Sequence, residues 1–143
     1  MAKNWHVERE FECLGLKCVV AFMNLGHRCG YVGVSVGHEL YGVDYNEVDF
    51  SCHGGLTYSG GGANSEYPIK SDLWWFGFDC AHYMDASDYE LAMKYFPEEE
   101  VRLRRVISVE NTFPTHGTIR TEEYVANECM ELAKQIKEGE KDD

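Results

Sequence analysis

A chain of 143 residues with a formal charge of −12 and a pI near 4.8 has room for one domain and one core. That charge opposes ordinary binding to duplex DNA, which needs Lys and Arg to displace counterions. Hydrophobic residues at 44% argue against disorder, and no apolar run approaches the roughly 20 residues of a membrane-spanning helix.

Trp5–Cys13 alternates, with His6, Glu8, Glu10 and Glu12 against Trp5, Val7, Phe11 and Cys13, as a strand with one wet face should. Leu16–Met23 is a continuous apolar run suited to a central strand. Asn24, Leu25 and Gly26 signal a turn, and Cys29–Val36 returns as its hairpin partner. Gly30 and Gly33 within it mark a bulge or a close backbone approach. Gly37–Glu47 reads as an irregular connection, Val48–Cys52 as a short strand, and Leu56–Tyr58 as a further piece of sheet. Ser59–Ser65 is rich in glycine, and its composition predicts a mobile loop. Tyr67–Ser71 then leads into Leu73–Phe78, the most apolar strand.

Helical patterns follow. Asp88–Phe96 is short and stopped by Pro97, which can open the next helix. Glu98–Ser108 carries acids first and arginines later, the order favoured by the helix dipole. Phe113–Thr118 is a loop, and Thr121 caps a last helix with Tyr124, Val125, Cys129, Leu132, Ala133 and Ile136 on its apolar face. The layout is α+β: one domain with a mainly antiparallel sheet covered by C-terminal helices, and an acidic tail expected to be disordered over about 138–143. The opening MAKNWHVERE carries charge where a signal peptide would be apolar, so a cytoplasmic chain with six reduced cysteines is expected.

The chemistry concentrates where the aromatic strand ends. Asp79, Cys80, His82 and Asp85 follow it, and Cys52-His53-Gly54-Gly55 lies upstream. His53 is presented beside two glycines whose N–H groups can converge on an anion, or the glycines simply make a turn that His53 caps. Asp79, His82 and Asp85 can reach one metal, or Asp79 can orient His82 as a general base. Their spacing matches no diagnostic metal pattern, and the cofactor is left open. Asp85 also suits a helix cap beside Ser87. Cys80 acts as a nucleophile only if its thiol pKa is depressed, and an inert buried thiol is the alternative. Arg28 follows a turn, and its planar fork suits phosphate or carboxylate, with His38 and Tyr41 as candidate walls of the same pocket. Alternation puts Trp74, Phe76 and Phe78 on one face, leaving Trp75 as the ring to stack on a ligand.

The joined string GHRCGYVGV, GHELYG, HGGLTYSG and WWFGFDCAHYMD, closing with RTEEYVANECMELAKQI, resembles a family of small proteins encoded by bacteriophages and prophages. The resemblance runs from Trp5 to about Lys137. It implies a phage origin and a location in the host cytoplasm. It implies no activity, and an anti-defence role enters by analogy with other phage accessory proteins.

Three functions are compatible with these residues. In the first, the protein binds a small phosphate-bearing, nucleotide-like ligand through Arg28, His53, Gly54, Gly55, Trp75 and His82. In the second, it is a hydrolase or phosphodiesterase using His53 and His82 with Asp79 or Asp85, with or without a metal. In the third, its acidic surface blocks a host defence protein. Pairing of exposed strand edges would give a homodimer.

Overall fold

Val, Phe and Cys crowd Leu16–Met23, and this stretch becomes β2, with a strand on each side. The computed structural model describes residues 4–61, 71–114 and 116–140. Its five-stranded sheet has the order β1-β2-β3-β5-β4, with β1 at Trp5–Cys13, β3 at Arg28–Val34, β4 at Tyr58–Gly61 and β5 at Trp74–Asp79. Every neighbouring pair is antiparallel. The helices α1 (Tyr89–Tyr95), α2 (Glu100–Thr112) and α3 (Glu122–Glu138) follow, so the expected α+β class holds.

The alternation of β1 is interrupted. Between Val7 and Arg9 the register slips by one residue, so the strand changes the face it buries. Val7 packs with Val19, Ala21, Tyr31 and Trp75 on one side of the sheet. Phe11 and Cys13 pack on the other side, with Cys18 and Val20 beneath α3. Glu8, at the slip, is buried rather than wet, with its side chain 5% exposed.

α3 covers the sheet because Val125, Ala126, Cys129, Leu132, Ala133 and Ile136 recur on one side and all are buried. They meet Val32, Val34, Phe76 and Phe78 across β3 and β5. Each fully buried Leu or Ile contributes about 1.5–3 kcal/mol of transfer free energy. Cys129 sits so close to Gly30 that a Cβ there would collide with its sulfur and with the Phe78 ring. Gly30 thus marks a close approach, and the β3 register runs through it unbroken. The shorter helices close over Phe22 with Ala92, Phe96 and Leu103.

Three expected elements differ. Pro97–Glu99 forms a 3-10 turn, and the α-helix proper starts at Glu100. Asp88, not Asp85, caps α1, accepting from the Leu91 N–H at 3.0 Å. Val48–Cys52 is not a strand. Val48, Phe50 and Cys52 do pack inward, but the Ser51 backbone pairs with a side chain: its N–H donates to Gln135 Oε1, and its carbonyl accepts from Gln135 Nε2, both at 2.7 Å. The amide of one glutamine takes the place of a neighbouring strand.

Two short strands complete the fold. β6 (Asp85–Ala86) and β7 (Thr118–Ile119) pair in parallel, joining the exit of β5 to the entry of α3. Ser59–Gly61 of the glycine-rich segment belongs to β4, and the rest of that segment and Tyr67–Lys70 lie outside the described residues. Past α3, Glu140 bonds His38 and Lys137, and residues 141–143 lie outside the described residues. Among the described residues no helix is long and apolar enough to cross a membrane, and all six cysteines are free thiols.

Candidate functional site

The Gln135 bridge brings the chain to His53, where it reverses. The Gly55 N–H donates to the Cys52 carbonyl at 2.9 Å, with Gly54 and Gly55 at φ +70° and +83°. Only glycine adopts such backbone freely. Gly54 has a second reason to lack a side chain, because the His82 ring lies directly on it.

The second arm of the site leaves β5 at Asp79. One Asp79 oxygen accepts from the Thr57 hydroxyl at 2.9 Å and the other from the Ala81 N–H at 3.1 Å, which bends the chain off the sheet. His82 and Asp85 then lock together. The Asp85 N–H donates to the His82 carbonyl and the His82 N–H donates to Asp85 Oδ2, each at 3.0 Å. Closing this turn puts Met84 at φ +74°, a strained conformation for a residue with a Cβ. The Thr118 N–H holds the Met84 carbonyl at 2.8 Å, so the β6–β7 pairing fixes the strained turn in place.

Asp85 is the hub. Its side chain is 1% exposed, yet both oxygens are fully engaged. His53 Nε2 lies 2.9 Å from Oδ1 and 2.8 Å from Oδ2, and Arg120 Nε donates to Oδ1 at 2.8 Å. Burial alone would raise its pKa, but hydrogen bonds from His53, Arg120 and the His82 N–H outweigh that and hold it below the usual carboxylate range. Asp85 in turn raises the Arg120 pKa. An ionised carboxylate can only accept, so the Nε2 facing it carries the proton. His53 Nδ1 then accepts from the Tyr124 hydroxyl at 2.8 Å. Burial, and after it the charge of Glu128, raise the Tyr124 pKa and keep that hydroxyl protonated. The Arg120 guanidinium lies over the Tyr124 ring, 5.3 Å from its centre.

His82 completes the cluster, its ring centre 6.2 Å from that of His53. Its Nδ1 is buried and makes no hydrogen bond among the described residues. Asp79 Oδ1 at 3.4 Å and Asp85 Oδ2 at 3.9 Å are its carboxylate neighbours. His82 and Asp85 line a cavity of about 410 Å³ with Tyr83, Met84 and His116. His53 lines another, about 370 Å³, whose walls include Glu128 and Glu131. The first sets two imidazoles beside Asp85 and has an exposed aromatic rim, with Tyr83 94% exposed. The second is acidic and repels anions.

The structure brings His53, His82, Asp85 and Gly54 together, with Asp79 at the edge. Gly55 shapes the turn and a Cβ there would meet nothing. Two expected ligand residues stand elsewhere. Arg28 is buried against Glu8, and its Nη1 donates to the Arg120 carbonyl at 3.0 Å, so its fork is filled by the protein itself. Trp75 is fully buried on the far face of the sheet, with Nε1 bonded to Ser71. His38 bonds Glu140 and Tyr41 bonds the Asp72 carbonyl, away from the imidazole pair. Burial raises the Cys80 thiol far above its ordinary value and Asp85 adds to it, which opposes a thiolate there.

Arg120, Tyr124 and His116 carry no motif that marks them as site residues. Helical spacing puts Tyr124 on the apolar face of α3, and the ring does pack there while the hydroxyl reaches His53. Arg120 has one signal, its position just before the Thr121 cap. Comparison with family models, with curated proteins and with solved structures finds no match.

Proposed function

We infer that the protein is a hydrolase, of the phosphodiesterase class, acting on a small phosphate-bearing, nucleotide-like molecule. One observation carries this reading: a buried carboxylate orients one imidazole directly and the other through its backbone. Orientation of that kind serves proton transfer, for which the order and direction of hydrogen bonds matter. His82, partly exposed on the cavity it shares with His116, exchanges a proton with the substrate. His116 lines the same cavity and offers a ring nitrogen to an anionic group, and His53 is the second acid–base group, its tautomer set by Asp85 and Tyr124. The resemblance to phage proteins supports a setting in which the substrate is a nucleotide signal of host defence.

Capture without turnover is a second reading, favoured by Tyr83, whose exposed ring at the rim suits stacking on a base. Incubation with a panel of cyclic and linear dinucleotides, followed by denaturation and chromatography, separates the two. A hydrolase returns cleaved product, and His82→Ala abolishes it without lowering the thermal midpoint by more than about 3 °C. Recovery of intact ligand from a complex supports capture. Neither binding nor cleavage across the panel refutes both.

A further inference from the structure

We propose that His53 Nε2, His82 Nδ1 and a carboxylate oxygen of Asp85 bind a first-row divalent transition-metal ion, with zinc as the best fit to the donors. The inference rests on the hydrolase reading of the same site and names its ion; with the ion bound, His53 serves as a ligand rather than as an acid–base group, and His82 keeps only Nε2 for proton exchange.

Four observations converge. One ligand atom from each of the three residues lies within 4.8 Å of the others, close enough for a single ion to draw them together. Two imidazoles and a carboxylate are the donor set such ions prefer, and three protein ligands leave a position for water or substrate. His82 Nδ1 is buried without a hydrogen-bond partner among the described residues, a cost that a bound ion removes. The outer shell is also in place. His53 Nδ1 is 2.8 Å from the Tyr124 hydroxyl, and in the tautomer with hydrogen on Nδ1 it donates there while Nε2 turns its lone pair to the ion. Arg120 Nε holds Asp85 Oδ1, which leaves Oδ2 between the two imidazoles.

The geometry also selects among the acids. Asp85 contacts His53 and lies 3.9 Å from His82 Nδ1, so it groups with both imidazoles, whereas Asp79 neighbours His82 and shapes the turn through Thr57 and Ala81. A bound ion would carry a water molecule at the His82 face, where the cavity opens, and lower the pKa of that water toward neutrality. That supplies the cluster with a nucleophile for hydrolysis.

The test uses the full-length protein stripped with chelator and titrated with Co(II), read by its visible absorption, and with Zn(II), read by calorimetry. Wild type should take up one equivalent and develop the spectrum of a nitrogen- and oxygen-ligated ion. His82→Ala, His53→Ala and Asp85→Asn should each weaken binding at least about a hundredfold, and Tyr124→Phe about tenfold. His82 is partly exposed, so its variant keeps the fold, and circular dichroism checks that. No stoichiometric uptake by wild type, or equal uptake by folded His82→Ala, overturns the proposal. Turnover is scored separately. Cleavage that persists undiminished in chelator overturns the metal and leaves the hydrolase, whereas metal uptake without cleavage of any substrate keeps the ion and overturns the hydrolase.

Discussion

Gly54→Ala is the sharpest test of the site's geometry. A Cβ built at Gly54 would lie 2.5 Å from both Cε1 and Nδ1 of His82, roughly 1 Å inside ordinary contact. The backbone cannot relieve this cheaply, because the turn is tied at Cys52 and by Gln135 to Ser51. The imidazole therefore moves by about 1 Å, beyond the roughly 0.5 Å within which a functional group must be held. Displacement of that size costs up to about a hundredfold in turnover. Alanine at φ +70° adds strain of about 1–2 kcal/mol, partly offset by a less flexible unfolded chain. The net loss of about 1 kcal/mol lowers the thermal midpoint by about 3 °C. Gly55→Ala is the matched control: its φ is +83°, so the strain is alike, but its Cβ meets nothing within 4 Å. Both variants should melt alike, while only Gly54→Ala loses Co(II) affinity and turnover. Equal activity in the two would refute the packing of His82 on Gly54 and the role given to its ring.

Arg28→Ala should act on stability: it leaves the buried Glu8 held by the Tyr95 hydroxyl but without its cation, at a cost of about 3–5 kcal/mol, and lowers the thermal midpoint by about 10 °C in calorimetry. A midpoint unchanged with loss of ligand affinity would return Arg28 to the binding surface. Gln135→Ala removes two hydrogen bonds to Ser51, worth about 1 kcal/mol each, and hydrogen exchange should show the Ser51 amide opening before α3 does. Burial pushes Cys18 and Cys52 up to about 12, so the native state keeps protons that unfolded thiols lose near 8.5. Stability therefore falls as pH rises above about 8.5. Urea midpoints between pH 7 and 10 should show this fall, reduced in Cys18→Ala, and a flat profile would contradict the buried thiols.

The sheet is legible in the sequence because its signals are local. β1 and β2 begin and end where alternation and the apolar run begin and end, and the Leu73–Phe78 expectation falls one residue from β5. What periodicity cannot carry is anything decided by a partner far along the chain. The slip at Glu8 follows from Arg28 and the Tyr95 hydroxyl, both of which bond its carboxylate, and no pattern within β1 announces them. Val48–Cys52 has true strand alternation, but its partner is a glutamine 84 residues away. Asp85 resembles a cap because acids before helices usually are caps. Its real role needs Arg120, and the two meet only through β6 and β7, each two residues long.

The same long-range contacts explain why the imidazoles are so closely constrained. The apolar stripe of α3 gains free energy wherever it covers hydrocarbon, so by itself it tolerates small slides and rotations on the sheet. Hydrogen bonds do not, since they weaken steeply with misalignment. α3 makes three to the His53 segment, one from Tyr124 to the ring and two between Gln135 and Ser51, the two residues about 16 Å apart along its axis. Directional contacts that far apart fix both the slide and the rotation of the helix against the loop. Just before its first turn, Arg120 ties the same helix to Asp85, while Arg28 grips the Arg120 carbonyl from β3. Apolar packing thus brings α3 onto the sheet, and the polar contacts set its position on the scale that a pair of imidazoles requires. The cost of burying Asp85 is met by interactions that double as the alignment of the site, and this is why the most buried carboxylate of the cluster sits at its chemical centre rather than in a surface cap.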